Sequence, residues 1–193
     1  MIISRLLGMG TKTEKRKKTE DQIIREREVG YCGIIDECAR EEKNVEIYHG
    51  SNKHSVYVLK TIFMHAQNEV CIFTYGLNEA IFNDDDLIME AIKFLKKPEA
   101  RLRIAFKDPN PNKGVLVGKF LKSVLNASTK GKVEIWDASK VVQSNNSYFW
   151  VNDKCHFARG PQNDIANFGN KEVGQVLANL FIGIIIKSER GLI

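Results

Sequence analysis

The chain has 193 residues, 43% apolar and 27% charged, with a formal net charge of +5. That composition excludes a collagenous, low-complexity or disulfide-dense chain, and the length holds one domain plus a flanking segment. A domain of this size buries roughly 70% of its unfolded surface, so a hydrophobic core suffices without covalent staples.

The positive excess is local. Lys12, Lys15, Arg16, Lys17 and Lys18 stand together near the N-terminus, and the rest of the chain is nearly balanced. Such a run is either a solvated tail or a contact for the phosphates of nucleic acid or anionic lipid. Met1 to Leu7 is apolar, but its charges follow it and no small-residue cleavage site appears, which argues against a signal peptide. Residues 1–44 read as a basic, charged, helical appendage. Ile23, Ile24, Tyr31, Ile34, Ile35 and Cys38 are its sparse apolar positions, and Gly30 and Gly33 form a weak spot.

The body, 45–193, opens with a short strand, Val45–Tyr48, and the turn His49-Gly50-Ser51-Asn52. Ser55 to Gln67 reads as a helix with Val58, Leu59, Ile62, Phe63 and Ala66 on one face. Glu69–Tyr75 is a β-rich run with little alternation, as in a strand covered on both faces. Asn83-Asp84-Asp85-Asp86 opens a helix that Pro98 stops. One aspartate caps its first amides and the others favour the positive end of its dipole, a reading preferred to a metal site. Arg101–Lys107 is a strand, Gly114–Asn126 a helix and Lys132–Trp136 a strand. This β-α-β-α-β-α-β order predicts an α/β fold with a mainly parallel sheet flanked by helices. Ser147–Val151, Lys154–Arg159 and Asp164–Phe168 are further short strands, and Asn170 caps a last helix to about Ile186. The apolar run Val176–Ile186 falls short of the ~20 residues of a membrane span.

No nucleophile motif assembles from His49, His54, His65 and His156, and no G-x-S-x-G elbow is present. His65 sits inside a helix and reads as structural, while His49 and His54 flank a turn and read as solvent-exposed. Gly114-Val-Leu-Val-Gly118-Lys119 is one residue short of a phosphate loop and lies inside a helix. Cys32, Cys38, Cys71 and Cys155 form no C-x-x-C pair, which reads as four reduced thiols in a cytoplasmic protein without a zinc site. No cofactor is indicated.

His156 stands apart. It follows the β-α array in a strand-like run, ahead of Asp164 and of Asn167-Phe168-Gly169-Asn170 before the final helix. With Glu69-Val70-Cys71-Ile72-Phe73, Asp86-Leu87-Ile88 and Leu102-Arg103-Ile104 upstream, the order from Val45 to Ile186 resembles one half of a phospholipase D-like fold. The signature of that superfamily is H-x-K-x-x-x-x-D followed by a Gly-Ser or Gly-Asn stretch. The resemblance implies a histidine that attacks a phosphodiester, a lysine that clamps the phosphate, and a second-copy histidine as general acid.

The chain departs from that pattern. Ala158 occupies the lysine position, Asp164 falls one residue late, and no Ser follows Gly169. Alternation along a strand turns Arg159 away from His156. The resemblance therefore implies a catalytically degenerate domain that serves as a nucleic-acid-binding or regulatory and assembly module. Lys12, Lys15, Arg16, Lys17 and Lys18 would meet phosphates. The alternative is a phosphodiesterase or nuclease with His156 as nucleophile, Arg159 as clamp, and Asp164 and Asn167 in support. A third reading is a protein-interaction role for residues 13–43. A single half implies a homodimer; nucleic acid and a larger protein assembly are the other expected partners, and a membrane is not. Against all of these stands a half-buried structural histidine.

Overall fold

The computed structural model describes residues 20–108, 118–127, 132–141, 147–161 and 164–190. The basic run at 12–18, the start of the helix expected from Gly114, and the side chains of Ile23 and Ile24 lie outside the described residues.

Eight strands form one sheet among the described residues. In chain order they are β1 (Ile47–Tyr48), β2 (Glu69–Thr74), β3 (Arg101–Phe106), β4 (Val133–Asp137), β5 (Tyr148–Asn152), β6 (Phe157–Gly160), β7 (Ile165–Asn167) and β8 (Glu189–Arg190). Their spatial order is β1-β7-β6-β5-β2-β3-β4-β8. The helices are α1 (Glu20–Arg40), α2 (Asn52–His65), α3 (Glu79–Phe82), α4 (Asp85–Leu95), α5 (Lys119–Ala127) and α6 (Lys171–Lys187).

β2 is central, and its apolar run reads as expected. Val70 and Ile72 enter one core while Cys71 and Phe73 enter the other. The larger core packs α2, α4 and α5 on one face through Leu59, Phe63, Leu87, Phe94 and Phe120, and Ile35, Cys38 and Ala39 of α1 join it. The opposite face is covered by α6 through Phe181, Ile184 and Ile185. Asp84 caps α4, accepting from the Leu87 amide at 3.0 Å, and Asn170 caps α6, accepting from Val173 at 3.1 Å. Gly30 and Gly33 do not break α1, which runs through both.

The sheet is mixed rather than mainly parallel. Only β2–β3 and β3–β4 are parallel, and the other five pairs are antiparallel. Short turns join β5, β6 and β7, and a short connection forces a reversal of direction. β1, expected as the first member of a parallel array, instead pairs antiparallel with β7 at one edge, Ile47 opposite Ala166. No helix among the described residues is long and apolar enough to cross a membrane. All four cysteines are free thiols.

Candidate functional site

The structure places His156 away from any surface. Its relative exposure is 0%. The ring lies 5.4 Å from that of Phe168 and 5.5 Å from that of His65, and neither ring nitrogen has a hydrogen-bond partner. Burial, and then the neighbouring His65, push its pKa down to about 4, so the ring is neutral. The surrounding hairpin is built for rigidity. Asn152 Oδ1 accepts from the Lys154 and His156 amides at 3.0 Å each, and its amide nitrogen donates to Ile62 O at 3.0 Å. Asp153 receives the amides of Gln67 and Asn68 at 2.9 and 2.8 Å. A phosphodiester cannot reach an imidazole sealed in this way.

The other motif residues disperse. Arg159 is exposed on β6 while its neighbour Ala158 is fully buried, so Arg159 points to the face opposite His156. Asn167 is 1% exposed. It receives the amides of Gly169 and Asn170 at 2.9 and 2.8 Å and donates to Asn44 Oδ1 at 3.0 Å, which fixes the turn into α6. Asp164 lies at the other end of β7, beside an open cleft.

That cleft, of about 320 Å³, was not anticipated from the sequence. It gathers His49, Ser51 and Ser55 around the N-terminus of α2, Thr74 and Tyr75 at the carboxyl end of β2, and Tyr148, Trp150 and Asp164 from the antiparallel side. β2 is where the sheet order turns from β3 and β4 on one side to β5, β6 and β7 on the other. Open α/β sheets hold ligands at the carboxyl edge of such a switch point.

Hydrogen bonds hold several of the polar wall groups in place. Tyr148 Oη donates to Asp164 Oδ1 at 2.7 Å. Burial, and then this bond, raise the phenol pKa, so the hydroxyl keeps its proton. Gly160 admits the pair, because a Cβ there would lie 2.2 Å from Asp164 Oδ1 and 2.6 Å from Tyr148 Oη. His49, expected at the surface, is 1% exposed, because its amide donates to Asp164 O at 2.9 Å and draws the turn onto the β7 edge. Ser55 Oγ lies 3.2 Å from His49 O and 3.0 Å from His49 Nδ1. The hydroxyl has two acceptors in reach: donating to the carbonyl leaves Nδ1 to donate to Oγ, and donating to Nδ1 goes with the other histidine tautomer. Burial lowers the His49 pKa, with Asp164 pulling the other way.

His49 Nε2 and Trp150 Nε1 are both buried without partners, and their rings stand 5.9 Å apart. Tyr148 and Phe82 flank Trp150, with ring centroids at 5.4 and 6.2 Å. Asp164 is the only Asp, Glu, Lys or Arg lining the cleft among the described residues. A carboxylate without a cation disfavours a phosphate and suits a neutral or cationic molecule that meets aromatic faces and a few hydrogen-bonding groups.

Fold and cleft together define a three-layer α/β domain with a polar, aromatic-walled recess at the sheet switch point. Among solved structures it is similar to TrmBL2, described as an archaeal chromatin protein with a novel mode of DNA binding. The TM-score is 0.55 at 13% identity, covering 88% of this chain and 64% of that one. At that identity the likeness is one of fold. No family model matches the sequence, and no curated protein matches it.

Proposed function

We propose that this chain is a non-catalytic binding module, a degenerate relative of a phospholipase D-like half, that takes a small neutral or cationic molecule in its cleft. It would act as a regulatory part of an assembly on nucleic acid. The observation that carries the reading is the contrast between two ends of one sheet. The motif histidine is sealed, while the accessible recess holds a lone carboxylate among aromatic and hydrogen-bonding side chains.

The nucleic-acid part has separate support. Residues 1–19 contain six basic side chains and one acidic one, so they carry the whole +5 excess and the remainder is neutral. Phosphate contacts then belong to Lys12, Lys15, Arg16, Lys17 and Lys18 rather than to the α/β body. The fold shared with TrmBL2, itself described as binding DNA, agrees with such a setting.

Two assays test the reading. A thermal-shift panel of neutral polyols, amides and small ammonium compounds should return stabilising ligands that Asp164→Asn weakens, with inorganic phosphate inactive. Stabilisation by phosphate and by nothing neutral or cationic would overturn it. DNA affinity measured against salt should show a slope that falls by about 4 when the five basic residues become glutamine, since each released counterion contributes about 0.9. A slope unchanged by those substitutions would contradict the placement of the contacts.

A further inference from the structure

The cleft is polar in two opposite senses. At one end stands the Asp164 carboxylate. Its Oδ1 takes the Tyr148 hydroxyl at 2.7 Å, and its Oδ2 meets no donor among the described residues. At the other end stands the first turn of α2, where Ser51 and Asn52 line the cleft. Ser51 Oγ accepts from the His54 amide at 3.1 Å, and Ser51 O accepts from the Ser55 amide at 2.9 Å. The amides of Asn52 and Lys53 are left without an acceptor among the described residues. Such amides are the positive end of a helix, so this rim attracts a negative group as Asp164 attracts a positive one. The wall itself asks for an acceptor: Trp150, only 2% exposed, keeps Nε1 without a partner, and an indole N–H only donates. His49 Nε2, on a side chain 1% exposed in the same wall, also lacks a partner. The two ends are close. The His49 amide donates to Asp164 O at 2.9 Å, and Asn52 follows three residues on, at most roughly 11 Å of chain.

We propose that the molecule held in this cleft is a free α-amino acid with an apolar side chain, its ammonium on Asp164 Oδ2 and its carboxylate on the amides of Asn52 and Lys53. The inference rests on the reading of the cleft as a small-molecule site and names the ligand class. An α-amino acid spans under about 4 Å from ammonium to carboxylate oxygen. A hydrogen bond of about 2.9 Å at each end extends that reach to roughly 9–10 Å, which matches the two ends of the cleft. A zwitterion is neutral overall and satisfies both ends at once. A plain amine would set its charge in the field of the α2 terminus and leave the amides unserved. A plain carboxylate would meet Asp164 with nothing to offset the repulsion. Tyr75, Ile81, Phe82 and Tyr148 supply the apolar surface for the side chain.

Titration calorimetry of the full chain tests it, with L-leucine and L-phenylalanine as probes. Beside each run the amine left by deleting its carboxylate and the acid left by deleting its amino group. At least one amino acid should bind, and both of its truncated analogues should bind roughly tenfold more weakly, since each loses a charge-assisted hydrogen bond. D164N should weaken the amino acid by about tenfold and leave the acid analogue no weaker. Asn52 is the first helical residue, where proline is tolerated, and Ser51 before it is already extended at φ −121° and ψ 154°. N52P therefore removes one amide N–H and keeps the helix. It should melt with N52A, bind the amino acid roughly tenfold more weakly than N52A does, and bind the amine equally well. An amine that binds as tightly as its amino acid would overturn the proposal, and so would failure of both amino acids to bind. Binding of neutral polyols or amides without amino acids would overturn it and leave the small-molecule reading of the cleft standing. Stabilisation by phosphate alone would overturn both.

Discussion

Gly169→Ala is the substitution with the most definite cost. A Cβ at that position would lie 2.0 Å from Glu42 O, 2.4 Å from Lys43 C and 2.5 Å from Asn44 N. All three atoms are backbone, in the segment that leads from α1 to β1. The segment is pinned, since the Lys43 amide donates to Cys38 O at 2.9 Å and Glu42 holds a φ of 49°. Ordinary van der Waals contact begins near 3.4 Å, so the segment has to shift by more than an ångström. That shift also breaks the 3.0 Å bond from Asn167 to Asn44. Forced overpacking costs about 1–3 kcal/mol, and the lost hydrogen bond about 1 kcal/mol. The expected loss is about 2–4 kcal/mol, read by calorimetry as a melting temperature lower by roughly 5–15 °C for a chain of this size. Gly50→Ala is the matched control, because nothing lies within 4 Å of its Cβ, and it should melt with the unsubstituted protein. If Gly169→Ala melts with Gly50→Ala, the packing argument fails, and with it the view that this glycine serves the fold rather than a phosphate.

Two further substitutions probe the two ends of the sheet. His156→Leu removes two unpartnered buried nitrogens and should leave urea stability at neutral pH unchanged or up to about 1 kcal/mol higher; a loss above about 2 kcal/mol would show a polar partner for the ring. The same variant reports on pH. The folded pKa of about 4 lies below the ordinary 6.5, so the unfolded chain takes the proton first. The contribution is complete above about pH 6.5 and disappears as pH falls to about 4, a change of about 3 kcal/mol in all. The stability difference between the two proteins should follow that curve, and a difference independent of pH would refute it. Tyr148→Phe leaves Asp164 without its 2.7 Å donor and should cost about 1–2 kcal/mol in urea unfolding. Equal stability would mean that solvent already serves the carboxylate.

Most elements were legible in the sequence because their signals are local. The Asp84 cap, the two-faced apolar run of β2 and the Asn170 cap of α6 all depend on neighbours a few residues away. Strand direction was not legible, since it is set by which distant segments meet. Nothing in Ile47-Tyr48 indicates that β7 is its partner. The burial of His156 was hidden for the same reason, as it depends on His65 and Phe168 converging from α2 and from the turn before α6. The cleft draws on four separated stretches. Its faint sequence signal was the i, i+2 pair Tyr148 and Trp150 on one face of β5, together with a His-Gly-Ser turn opening a helix. Asp164 was singled out for a phosphate site and is instead the carboxylate partner of Tyr148.

The most direct measurement is phosphodiester hydrolysis at high protein concentration, with bis-p-nitrophenyl phosphate and single-stranded DNA as substrates. The unsubstituted protein and His156→Leu should be indistinguishable from each other and from buffer. Turnover by the former that vanishes in the latter would show that His156 reaches substrate after all.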